Sequence, residues 1–190
     1  DLLGKDDDLV RVIAPDVGGG FGPKLVFYCE DAVLAASAIA AGRPVKWIED
    51  RREHFMATTQ ERDQYWAMEI ACDDEARILG VRGSLIHDHG AYTARGVNIP
   101  QGAANCLTLP YNIAAYHLDI KLALTNKVPV TPIRGAGQPQ GAFVMERLID
   151  RVAAELGLDR AEVRRRNLVG PAQMPCEKPL RVRGGGAVIL

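Results

Sequence analysis

Tyr65-Trp66-Ala67-Met68-Glu69-Ile70-Ala71, followed by Asp73-Asp74-Glu75-Ala76 and then Ile78-Leu79-Gly80-Val81-Arg82-Gly83-Ser84-Leu85-Ile86-His87, is the stretch that decides the fold class. Two runs carrying aromatic and β-branched residues flank a short acidic turn, which is the pattern of a β-hairpin. A hairpin needs only a tight turn, whereas parallel neighbours need a long crossover, so it breaks the strict strand–helix–strand alternation of a doubly wound sheet. The expected class is therefore α+β, with mixed strands and helices.

Towards the N-terminus, Glu49–Phe55 reads as a helical turn and Val45–Ile48 as a short strand. Val26–Ala41 has apolar spacing compatible with a helix, is rich in alanine and stops at Gly42-Arg43-Pro44, so a largely buried helix is expected. Leu9–Ala14 reads as a strand that ends at Pro15-Asp16 and feeds a glycine-rich loop, Val17–Lys24. Towards the C-terminus, Asp88–Thr108 contains Gly90, Gly96, Pro100 and Gly102 and reads as irregular. Ala115–Thr125 alternates, with His117, Asp119 and Lys121 on one face and Tyr116, Leu118, Ile120 and Leu122 on the other, as in a half-buried strand. Thr131–Gln140 is a second glycine-rich loop. Beyond it Phe143, Val144, Leu148, Val152 and Leu156 recur at helical spacing over Gly141–Leu156, and Gly157 ends that helix. Asp159 caps a short basic helix through Asn167, with Glu162 as its capping-box partner, and the tail after Pro171 is extended.

With 190 residues, 47% of them hydrophobic, the chain has the size of one domain and the material for a core. A formal net charge of −1, with both signs interspersed, excludes the basic footprint of a nucleic-acid binder or of a protein bound to an anionic membrane. The longest apolar run, Ala32 to Ala41, is interrupted by Ser37 and falls short of the ~20 residues of a membrane span. Asp1, Lys5, Asp6, Asp7 and Asp8 do not form the basic start and apolar middle of a secretory leader, so a cytoplasmic setting is expected. Cys29, Cys72, Cys106 and Cys176 form no CxxC pair, which speaks for reduced structural thiols rather than a zinc or iron–sulfur site. The chain opens without Met and stops at the apolar run Ala187–Leu190, so residues 1–190 are expected to be a piece truncated at both ends. No internal repeat is evident.

Gly18-Gly19-Gly20-Phe21-Gly22-Pro23-Lys24 lies between an expected strand and an expected helix, where glycine admits positive φ and close approach of backbone N–H groups to a ligand. It lacks the third glycine of a dinucleotide fingerprint and the Gly-Lys-Ser/Thr of a P-loop. Alone it fits a tight turn or an anion cradle equally. Pro132-Ile133-Arg134-Gly135-Ala136-Gly137-Gln138-Pro139-Gln140 puts a cation and glycines just ahead of a helix N-terminus, whose free N–H groups and dipole favour an anion. Arg134 has the fork that pairs with phosphate or carboxylate. Elsewhere the residues read as structural. Strand alternation sends His87 and His89 to one face and Asp88 to the other, which argues against a metal site. His54, His117, the charges at Glu30–Asp31 and Glu49–Arg52, and the cations Arg160 and Arg164–Arg166 read as solvated groups or local ion pairs.

Taken together, the GGGFG of Gly18–Gly22, Arg43–Trp47, His89-Gly90-Ala91-Tyr92, Pro110-Tyr111, the RGAGQPQ of Arg134–Gln140 and Glu146–Asp150 resemble, in order and spacing, the large subunit of the molybdenum hydroxylases. That family includes xanthine dehydrogenase, aldehyde oxidoreductase and aerobic carbon monoxide dehydrogenase, and the resemblance runs from about Leu9 to Pro179. It implies a partial molybdopterin-binding domain over residues 1–190. The implied activity is hydroxylation of an aldehyde or N-heterocycle with water-derived oxygen, by a larger subunit or complex of which this piece alone would be inactive. The implied cofactor is molybdenum–molybdopterin in the cytosine dinucleotide form, with [2Fe-2S] and FAD on partner domains or subunits. By position, Gly19, Gly20, Phe21, Gly22, Arg134, Gly135, Ala136 and Gly137 would bind the cofactor, and Leu25, Ala136 and Gln138 would line the substrate channel, with Gln140 a lesser candidate. No catalytic residue and no protein ligand to a metal are expected here, because the family's general-base glutamate has no counterpart in this sequence.

Three departures narrow the substrate. Leu25 stands where xanthine-type members have a glutamate, Ala136 replaces an aromatic residue that sandwiches a flat substrate, and Pro132–Phe143 lacks the copper-binding cysteine of carbon monoxide dehydrogenase. Two alternatives stay open. One is a non-catalytic cofactor-binding or subunit-interaction module, and the other is a different nucleotide-binding enzyme using Gly18–Gly22.

Overall fold

The computed structural model describes residues 3–181 and 185–190. Its centre is a mixed sheet in the order β1-β2-β3, built from β1 (Gln64–Cys72), β2 (Ile78–Gly90) and β3 (Ala115–Leu124). The hairpin forms as the sequence requires: β1 pairs antiparallel with β2, Trp66 opposite Leu85, and the acidic turn closes when Asp73 Oδ1 accepts the Arg77 and Glu75 N–H groups. β3 runs parallel to β2, with Leu85 opposite Ile120, so the intervening segment must cross over. The crossover holds α3 (Asn98–Leu107), a helix where irregular chain was expected. Pro100 does not prevent it, because the N–H groups of a first turn have no acceptor within the helix. The alternation of β3 holds only in part: Tyr116 and Leu118 are half-buried, while Ile120 and Leu122 are 41% and 48% exposed.

The core lies between the sheet and α4 (Gln138–Leu156), closed at one side by α5 (Arg160–Asn167). The buried face of α4 is only partly the one expected: Val152 lies in the core, and Val144 and Leu148 pack against its edge. Phe143 is 67% and Leu156 37% exposed, Val144 and Leu148 are half-buried, and the residues in the core are Met145, Ile149, Val152 and Ala153. Gly137, Gly141, Met145, Ile149 and Ala153 form an unbroken i, i+4 ridge. Its N-terminal end packs backbone on backbone against α3: a Cβ on Gly141 would lie 3.0 Å from the Ala103 carbonyl carbon, and one on Gly137 would lie 2.7 Å from the Ala103 nitrogen. Two glycines therefore set the rotation of α4, and a hydrophobicity count cannot see them.

Asn167, the last residue of α5, is buried and ties the helix to the hairpin. Its Oδ1 accepts the Ile78 N–H at 2.8 Å, and its Nδ2 donates to Ala76 O at 2.7 Å and Val163 O at 2.8 Å. Asp159 caps α5 through Ala161 N and Glu162 N, as expected, whereas the Glu162 carboxylate turns to Arg165 and Arg166 rather than completing a capping box. Arg164 spans to Glu146 and Asp150 on α4, so these cations pair within the chain. The tail forms a 3-10 turn (Pro171–Gln173) and a ribbon of β4 (Glu177–Arg181) with β5 (Ala187–Ile189), and the part of the expected extension at 182–184 lies outside the described residues.

The N-terminal part departs furthest from expectation. Leu9–Ala14 and Val45–Ile48 are not strands, since no neighbour pairs with them among the described residues and a strand exists only within a ladder. The helix expected from Val26 begins at Cys29 (α1, Cys29–Ala41), because the backbone stays extended at Val26 and Tyr28, where Asp31 Oδ2 accepts the Tyr28 N–H. None of its residues is buried, and Val33 and Ile39 are 63% and 55% exposed. Its apolar composition is real, but the described residues supply no surface to cover it. α2 (Arg51–Ala57) carries a capping box between Asp50 and Glu53. No helix among the described residues is long and apolar enough to cross a membrane.

Asn167→Ala would leave two buried backbone groups, Ile78 N–H and Ala76 O, without partners, at about 1 kcal/mol or more for each, while Val163 O keeps its helical bond. The expected loss is about 2 kcal/mol of unfolding free energy in the intact protein, read from denaturant titration, and a loss below about 0.5 kcal/mol would contradict the role given to this side chain.

Candidate functional site

The two glycine-rich loops, far apart in sequence, meet. Arg134 N–H donates to Phe21 O at 2.8 Å, and a Cβ on Gly22 would lie 2.9 Å from Ile133 Cα and overlap the Pro132 carbonyl. Gly22 also has φ +113°, so both its conformation and its position exclude a side chain. The first loop then enters a 3-10 turn (Pro23–Leu25). The second holds three successive residues at positive φ, Gly135 (99°), Ala136 (46°) and Gly137 (96°), before α4 begins. Phe21, at φ 50°, and Ala136 are non-glycine residues in left-handed conformation, one in each loop. Such strain gathers at ligand-facing backbone.

Phe21 is 62% exposed at the junction. The N–H groups of Gly18 to Gly22 donate no hydrogen bond among the described residues, and the exposed Arg134 guanidinium makes no ion pair there. A row of free donors and an uncommitted cation can take up a polyanionic ligand, and the Phe21 ring supplies an apolar face beside it; α4 adds only the positive end of its dipole, since the Gln138 and Gln140 N–H groups are bonded to Gly135 O and Gly137 O and Pro139 has none. The structure thus brings together Gly19, Gly20, Phe21 and Gly22 with Arg134, Gly135, Ala136 and Gly137. Of the expected channel residues, Gln138 lines a groove of about 300 Å³ with Gln101, Cys106 and Val188 that neither Leu25 nor Ala136 lines among the described residues, and Leu25 is 58% exposed on its 3-10 turn.

Beneath the second loop lies a polar layer that the sequence did not single out. The Glu61 carboxylate is fully buried and accepts the Ile133 N–H at 2.9 Å. Arg62 donates to Arg134 O at 2.9 Å and to Gln140 Oε1 at 3.2 Å. Within Gln60-Glu61-Arg62-Asp63 nothing in residue type distinguishes these two from a solvated surface stretch.

His87, Asp88 and His89 lie on β2, with the two imidazoles side by side as strand alternation requires, and all three are buried. Asp88 accepts from Thr125, Gly90 N–H and Lys127. Although burial raises its pKa, these bonds outweigh that and bring it to about 2. His87 and His89 stack edge to face with ring centroids 5.7 Å apart. Burial first, and then the neighbouring His89, pull the His87 pKa down to about 4 against the carboxylates of Asp88 and Asp63. No group of three metal-ligating side chains occurs among the described residues.

Residues 1–168 match the model of the molybdopterin cofactor-binding domain. The chain belongs to that family. It is 37% identical over 167 residues to the gamma subunit of the 6-hydroxypseudooxynicotine dehydrogenase complex of Paenarthrobacter nicotinovorans, covering 87% of this chain and 21% of that one. It is 34% identical over 178 residues to the carbon monoxide dehydrogenase large chain of Hydrogenophaga pseudoflava, covering 92% and 22%. Among solved structures it matches quinoline 2-oxidoreductase from Pseudomonas putida 86 with a TM-score of 0.77 and 37% identity, over 92% of this chain and 22% of that one. The resemblance to the molybdenum hydroxylases and the α+β class both hold, and the chain spans about a fifth of the length of these relatives.

Two outcomes follow from this geometry. Gly22→Ala should open the junction: backbone strain alone costs at least about 1 kcal/mol. Limited proteolysis should then cut faster within 131–137, and an unaltered digestion pattern would refute the packing. For His87, a folded-state pKa below the unfolded value means that the unfolded chain takes up the proton first as pH falls. Its contribution is therefore intact above about pH 6.5 and is lost on going down through pH 4, by up to about 3 kcal/mol. Denaturation midpoints across that window should slope less in His87→Gln, and equal slopes would exclude His87 as the source.

Proposed function

We propose that the chain forms one lobe of the cofactor site in the large subunit of a molybdenum hydroxylase. The observation that carries this is the junction of the two loops ahead of α4, with an exposed Phe21 and, among the described residues, free N–H groups at Gly18 to Gly22 and an Arg134 guanidinium without an ion pair. The donor set fits a pterin cofactor. Gly19 to Gly22 would present N–H groups, Arg134 would fork onto an anionic group, and the left-handed backbone of Gly135 and Ala136 would lie against the ligand, with Gly137, pressed onto α3, holding that turn in place. When bound, the molybdenum cofactor supplies insertion of water-derived oxygen into a substrate carbon with removal of two electrons. The chain's own contribution is to bind and orient the cofactor and, through Phe21, to keep water from one side of it. The same proposal includes the cytosine dinucleotide form, [2Fe-2S] and FAD on partner domains or subunits, residues 1–190 as part of a larger domain, and a cytoplasmic setting.

For the substrate we favour an aldehyde or an N-heterocycle, the latter in keeping with the relatives named for quinoline and a nicotine derivative. Leu25 and Ala136 bring neither a carboxylate nor an aromatic face to the proposed channel, which disfavours a purine held at two points. No cysteine lies in 132–143, which disfavours copper-dependent carbon monoxide oxidation.

The test is metal and pterin analysis of the protein purified natively from its own cells with whatever accompanies it. Near-stoichiometric molybdenum, with iron and flavin in the same complex, is expected. A metal-free protein would leave the non-catalytic module. Arg134→Ala should weaken retention of the cofactor, read as molybdenum content after dialysis, by about tenfold or more, the worth of one charge-assisted contact of about 1.5–3 kcal/mol, and unchanged content would remove Arg134 from the site.

A further inference from the structure

We propose that Glu61 is a positioning residue for the second loop: its buried carboxyl group, just ahead of β1, sets the conformation from which Arg134 and the residues after it face the cofactor. The link to the cofactor rests on the reading above, while the hold on the loop does not.

A carboxylate is hardly ever buried without partners that repay its lost hydration. The Glu61 side chain is 0% exposed, and the polar groups around it belong to Arg62 and to one short segment. Glu61 Oε2 takes the N–H of Ile133, the residue before Arg134, at 2.9 Å, and the Arg62 guanidinium lies 3.4 Å from the same oxygen. Arg62 sits at φ +95°, an unfavourable conformation for a side-chain-bearing residue, and its guanidinium bonds the Arg134 carbonyl and the Gln140 side chain. The Glu61-Arg62 pair thereby grips the loop at an N–H, at a carbonyl and at the first turn of α4. Glu61 Oε1, Gln140 Nε2 and Thr131 Oγ1 are buried beside it without a partner of good geometry among the described residues, so the few bonds that are made there matter the more. Burial pushes the Glu61 pKa upward, against the pull of the Ile133 N–H and Arg62. Apart from Arg62, itself bound to the loop, the polar partners of this carboxyl group found among the described residues all lie in 133–140, which general stability would not require.

The experiment compares hydrogen–deuterium exchange and molybdenum content of the native complex carrying wild-type chain, E61A, E61Q or E61D. E61A is expected to speed exchange of 131–137 by about tenfold, the equivalent of one lost charge-assisted bond, while β1 and β2 exchange as before, and to cut molybdenum per chain roughly threefold. In E61Q the side-chain carbonyl still accepts the Ile133 N–H, so both readouts should stay within about twofold of wild type. E61D withdraws the carboxylate by one methylene and should fall between, which keeps the test decisive if E61A does not accumulate. Wild-type exchange at 131–137 in both E61A and E61D, or in E61D alone where E61A is lost, overturns the proposal, as does a rise shared equally by β1 and β2. Molybdenum absent from the wild-type complex would sink the cofactor reading instead, and the exchange comparison would still decide what Glu61 does.

Discussion

The hydrogen bond from the Arg134 N–H to the Phe21 carbonyl, with Gly22 pressed under Pro132 and Ile133, is the constraint on which the rest of the structure depends. It joins a loop that precedes the exposed helix α1 to a loop that begins α4, and so fastens the N-terminal segment to the packed part of the chain. Because the contact is between backbones, side-chain variation around it is tolerated except at the residue that must have no side chain. The second loop is in turn held from below by Glu61 and Arg62 and from the side by α3, so its three left-handed residues are over-determined.

Much of this was legible from residue pattern. The hairpin followed from two strand-like runs around an acidic turn, the α5 cap from Asp159, and the ends of α1 and α4 from Gly42 and Gly157, both left-handed in the structure. The loop residues were legible because glycine ahead of a helix has few purposes, and the order of several short motifs singled out one family. What pattern alone did not convey is that the two loops touch, which is a property of tertiary arrangement.

The misses share a physical cause. α3 was hidden because Pro and Gly count against a helix, yet Pro100 lies in the first turn and Gly102 is where the carbonyl of Ala136 comes close. The face of α4 was only partly legible because glycines, invisible to a hydrophobic count, fix its rotation. Glu61 and Arg62 went unnoticed because burial of a charge is decided by what folds over it, and in sequence they are two ordinary charges before a strand. Leu9–Ala14 and Val45–Ile48 have strand-like composition but no pairing partner among the described residues, so local propensity was right about the chain and wrong about the ladder.

Helix α1 has a further consequence. Thirteen residues with no charge after Asp31 and no buried side chain form a greasy outer surface, and such a surface is what chaperones and degradation machinery recognise on newly made chains. Left uncovered, this face is the part of the described molecule most prone to stick to other apolar surfaces.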